Sequence, residues 1–101
     1  MTHPSQALDD VVHQRVRLGI LAVLTEAAYA DFGYLKEVLG LTDGNLSRHL
    51  TVLEEAGHIT IEKGFAGKRT KTTVKATDQG RQALDEHLTA LKELIKRVEG
   101  D

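Results

Sequence analysis

A chain of 101 residues that is 41% apolar and only 4% aromatic has room for one domain, 1–101, whose small core must be packed by Leu, Val, Ile and Ala. It holds no Cys, which excludes a disulfide framework, a thiol nucleophile and a thiolate metal site; no apolar run approaches membrane-spanning length, and Met1 to Ser5 lacks the basic and apolar stretches of a secretory leader, so a cytoplasmic protein is expected. The net charge of −2 conceals a division: residues 42–75 carry +2 between flanks of −2 each, and Lys63, Lys68, Arg69, Lys71 and Lys75 run through 63–75 without an acid, which steers a polyanion to one part of the molecule.

Residues 8–28 read as a first helix. Leu8, Val11, Val12, Val16, Leu18, Ile20, Leu21, Val23 and Leu24 cover much of its circumference, so it is expected to lie between its own core and a partner. The pattern breaks over Tyr29 to Phe32, where Asp31 and Gly33 are turn formers and Phe32 suits a short edge strand. A second helix, 33–39, turns Leu35, Val38 and Leu39 inward and stops at Gly40. Thr42 is a good N-cap for a third helix and Asp43 is favourable at its positive end. Leu46, Leu50 and Leu53 share one face of that helix, which ends at Gly57.

Two strands follow. In 58–63, Ile59 and Ile61 alternate with Thr60 and Glu62; in 70–76, Val74 and Ala76 alternate with Thr73 and Lys75. The glycine-bracketed run from Gly64 to Arg69 reads as the hairpin loop between them. Thr77 caps a last helix, 77–98, on which Leu84, Leu88, Leu91, Ile95 and Val98 recur at steps of four and three, the coiled-coil period.

The order of elements points to a mainly α (α+β) fold. Residues 33–57 form a helix-turn-helix, and 58–76 form a basic-tipped wing with a two- to three-stranded antiparallel sheet. The last helix is then a dimerisation helix, and Leu8, Val12, Leu84, Leu88, Leu91, Ile95 and Val98 are expected at the interface of a homodimer. A helix fits the major groove, where base edges carry a distinct donor and acceptor code. A hairpin tip reaches the backbone or an adjacent groove, where Lys and Arg displace counterions.

The run LTDGNLSRHLTVLEEAG, Leu41 to Gly57, followed by HITIEKGFAGKRTKTTVKATDQGR, resembles the winged-helix regulators of the MarR and ArsR kinds. The resemblance extends from about Val12 to Leu94, and the LSRHLTVLEEAG pattern with a basic wing and T-x-x-G-R carries most of its specificity. It implies a regulator that binds operator DNA as a homodimer.

On the third helix the expected double-stranded DNA contacts are Thr42, Asp43, Asn45, Ser47, Arg48, His49 and Thr51, with His49 only partly exposed because it precedes a core leucine. Asn and Arg are the side chains that read adenine and guanine bidentately, and Asn45 and Arg48, three apart, share a face. In the wing the expected contacts are Lys68, Arg69 and Lys71, with Lys63 and Lys75 weaker at the hairpin base.

The alternative reading is a winged-helix protein-interaction or assembly module without specific DNA binding, since fold does not fix function. An RNA-binding reading ranks last, because only Phe65 near the wing is available for stacking. No paired carboxylates, phosphate-binding glycine loop or nucleophile elbow supports an enzyme. Asp85 and His87 have the Asp-x-His spacing of some ArsR-type metal sensors, but no histidine follows Leu88 on that helix, so neither metal nor cofactor is expected. Any small effector would have to bind in a cleft near the dimer interface.

Overall fold

The elements run α1 (Pro4–Glu26), β1 (Ala30–Asp31), α2 (Phe32–Leu39), α3 (Asp43–Glu55), β2 (Ile59–Ala66), β3 (Arg69–Ala76) and α4 (Asp78–Glu99). The structure is a computed structural model that describes the backbone over residues 4–100 and side chains over residues 14–100. Leu8 and Val12 lie outside the described side chains.

Five of the seven elements send at least one wholly buried anchor to the core. Ile20 and Leu24 come from α1, Leu35 from α2, Leu46 from α3, Ile59 from β2 and Val74 from β3. Each such side chain contributes about 1.5–3 kcal/mol by leaving water, so none of α1, α2 and α3 can rotate on the core without losing its own anchor. Leu50 and Leu53 add to the buried face of α3, and Leu84 alone represents the apolar residues of α4.

The helix boundaries follow local chemistry. The Asp31 carboxylate accepts from the Tyr34 amide at 2.8 Å and starts α2. Phe32 is therefore the first residue of the helix, and the short strand expected around it falls instead on Ala30–Asp31. Both α2 and α3 end in the same two-bond motif. Gly40 and Leu41 donate to Glu37 and Lys36, and Gly57 and His58 donate to Glu54 and Leu53, at 2.9–3.3 Å. The motif needs a left-handed residue, which glycine supplies at φ 65° and 80°. Thr42 accepts from the Asn45 amide at 3.2 Å to start α3.

The sheet has the order β1-β3-β2 and is antiparallel throughout. Its register pairs Ile59 with Ala76 and continues without a break to Ala66 opposite Arg69. The expected six-residue loop is thus a two-residue turn, Gly67-Lys68, with positive φ at Gly67 alone, the type II′ pattern. The strands run out to that turn because a two-residue hairpin keeps the backbone ladder intact even where the side chains are solvated.

Two apolar expectations are corrected. Val38 is half exposed, because a two-turn helix anchored by Leu35 has no second buried face to offer at its last turn. Leu84 is 6% exposed and belongs to this chain's own core, so it has no apolar area left for a partner. The first helix also ends two residues early, at Glu26 rather than 28.

Candidate nucleic-acid interface

With Leu46, Leu50 and Leu53 holding α3 from behind, its opposite face is free. Thr42, Asp43, Gly44, Asn45, Ser47, Arg48 and Thr51 are all exposed. His49 is not: it is 6% exposed and leaves the set of DNA-facing residues. The reason is periodicity, since His49 stands three residues after Leu46 and four before Leu53, one turn from each on the buried face.

The polar groups on the exposed face differ in what they can offer. The Thr51 hydroxyl donates to the Ser47 carbonyl at 3.0 Å, so only its lone pairs remain for an outside donor. Asp43 is engaged by Lys36, whose Nζ lies 2.9 Å from Oδ1. The pair is largely solvated and adds little stability. It does offset a carboxylate that would otherwise oppose a phosphate at the helix N-terminus. Lys36 sits on α2, and only the tight turn brings it to Asp43, so the pair has no signature in the sequence.

Strand pleating sorts the wing. Ile59 and Val74 are buried, so alternation places Ile61, Lys63 and Phe65 on the same sheet face, opposite Val74, Thr72 and Thr70. Arg69, Lys71, Thr73 and Lys75 lie on the other face. A groove between α3 and the sheet is lined by Ser47, Leu50, Thr51, Ile61, Lys63, Thr72 and Phe32. Lys63, weak in the sequence reading, is therefore the wing cation beside α3. Lys75 pairs with Glu62 at 3.7 Å, an acid that directly precedes the acid-free run 63–75. Among the described residues no carboxylate pairs with Lys63, Lys68, Arg69 or Lys71.

A separate cavity of about 180 Å³ is lined by Leu18, Leu21, Leu53 and Ala83 together with Gln14, Arg17, His58 and His87. Among the described residues no three metal-ligating side chains come together. Beyond Leu84, α4 carries Leu88, Leu91, Leu94, Ile95 and Val98, 41–80% exposed. Leu94 falls outside the heptad spacing and joins this apolar stretch. Among the described residues no helix is long and apolar enough to cross a membrane.

Known proteins share this architecture. Residues 16–95 match the winged helix DNA-binding domain family model, and the chain belongs to that family. It is 44% identical over 84 residues to an uncharacterized protein of Methanocaldococcus jannaschii, covering 83% of this chain and 91% of that one. A solved transcriptional regulator homologue from Pyrococcus horikoshii OT3 is 33% identical with a TM-score of 0.76, covering 92% of this chain and 97% of its own. A PadR-like transcription factor from Bacteroides fragilis shares the fold at 19% identity, TM-score 0.84, with 94% and 97% covered. The winged-helix regulator resemblance read from the sequence holds, and the class is a DNA-binding regulator rather than an enzyme.

Proposed function

We propose that this protein is a sequence-specific, double-stranded DNA-binding regulator that acts as a homodimer. Residues 1–101 would work as one unit, with α3 in the major groove and the wing on the adjacent minor groove or backbone. The observation that carries the reading is the exposed polar face of α3 beside a wing with four unpaired cations. Asn45 and Arg48 supply base readout, Ser47 and Thr51 supply shorter polar contacts, and Lys63, Lys68, Arg69 and Lys71 neutralise phosphates.

The solvated apolar residues of α4 support the dimer. A 101-residue chain has no need of five exposed apolar side chains on one half-helix, and a second copy of that helix would cover them. The test is recovery of a duplex from a random pool on purified protein, followed by footprinting. A two-fold symmetric protected site is expected. Enrichment of no sequence, with binding that is weak and sequence-blind, would favour the interaction-module reading.

A further inference from the structure

We infer that Phe65 is an apolar wedge that enters the minor groove flanking the α3 site and opens a base step there. The inference rests on the DNA-binding reading above. Phe65 is 77% exposed and has no part in the core, so nothing in the fold accounts for an aromatic at this place. It is not on an arbitrary face. Alternation puts it on the side of the sheet that carries Lys63 and faces α3, opposite Thr70. Lys63 and Thr72 line both the α3 groove and the shallow depression that continues to Phe65, so one surface runs from Ser47 and Thr51 to the phenyl ring.

The span is right. Phe65 lies four residues beyond Ile61, where β2 still borders α3. At ~3.3 Å per residue that is about 13 Å. The neighbouring minor groove lies half a helical turn, roughly 17 Å, from a helix in the major groove. Lys68 at the turn reaches slightly further, so the ring is bracketed by Lys63 and Lys68 along the strand. Flanking cations hold the two phosphate chains while an apolar side chain unstacks a step, which is how minor-groove wedges bend DNA. The surrounding charge favours DNA over a protein partner, because no acidic side chain shares this sheet face beyond Ile61.

The experiment uses the full chain and a duplex recovered by selection on the wild type, with 2-aminopurine placed at steps across the flanking minor groove. The chain has no Trp, so the probe is read without protein background. Wild type should raise the 2-aminopurine fluorescence at one step. Phe65→Ala should abolish that rise and weaken binding about tenfold, with an unchanged salt slope, since a phenyl ring releases no counterions. Phe65→Leu should restore most of both, and circular dichroism should show all three equally folded. Wild-type-like affinity and fluorescence in Phe65→Ala would overturn the wedge and leave DNA binding standing, as would a wild type that binds without unstacking any step. A wild type that selects no duplex would overturn both readings.

Discussion

Gly80 at the start of α4 lies directly against the carbonyl of His58, the residue just before β2. A methyl group at that glycine would meet the carbonyl carbon at 2.8 Å and the oxygen closer still. The contact is part of a clamp. Thr77 donates through its amide to His58 and through its hydroxyl to Gly57, at 3.0 and 2.6 Å, and accepts from the Gly80 amide at 3.0 Å. The obstacle is backbone that is itself hydrogen-bonded, so it cannot give way cheaply. We predict that Gly80→Ala destabilises the fold by about 2–3 kcal/mol, lowering Tm by roughly 10–20 °C. Thr77→Ala should cost about 1 kcal/mol through the lost cap. Urea unfolding checks both, and an unperturbed midpoint in Gly80→Ala would show that helix and strand are free to separate.

Base readout is predicted to reside in Asn45 and Arg48. Each alanine variant should lose about 1–3 kcal/mol on the selected site while non-specific binding stays nearly the same. Both side chains are exposed, so stability should not change. His49→Ala behaves differently: it empties a buried position and lowers stability rather than specificity. Titration of each variant against selected and scrambled duplexes separates the cases. Wild-type discrimination in both Asn45→Ala and Arg48→Ala would mean that α3 is not the reading element.

The salt dependence of binding should report which wing cations touch phosphate. Lys68→Ala/Arg69→Ala should weaken all sequences alike and lower the salt slope by about one unit per lost contact, counted twice in a dimer. The pleat adds a finer expectation. Lys63→Ala should reduce the slope more than Lys71→Ala, because Lys63 shares the sheet face that borders α3 and Lys71 does not. Equal slopes for those two variants would show that the wing docks by its edge.

Exposed and buried leucines on α4 should respond oppositely. Leu88→Glu/Leu91→Glu is predicted to yield folded monomers, since both side chains are about 40% exposed in the single chain. Leu84→Ala should instead cost about 2–5 kcal/mol of stability, because the residue belongs to the core. Light scattering at micromolar concentration decides the first, and a monomeric wild type would remove the dimer from the proposal.

What the sequence disclosed was what is local. Gly40, Thr42 and Gly57 act within one turn of themselves, and they and Thr77 each behave as a stop or cap as expected. The T-x-x-G-R pattern was visible without its reason, which is that Thr77 and Gly80 both address a corner twenty residues away. The misses share one physical origin: they depend on where another element lies. His49 is buried by the face it shares with Leu46 and Leu53, and Lys36 finds Asp43 across a turn. The place of Lys63 beside α3 depends on the strands pairing through Phe65, where Gly, Lys and Thr give no alternation to read.

The sheet order has a consequence for how the protein is made. Ala30 and Asp31 leave the ribosome more than forty residues ahead of Val74 and Thr73, their partners in β3. The clamp from Thr77 and Gly80 onto the corner after α3 arrives later still. Between residues 57 and 76 a nascent chain therefore carries α2 and α3 with a strand edge open and α3 unbraced. If α3 reads DNA as proposed, chains that stop short of Gly80 present it unbraced and compete poorly for the same sites.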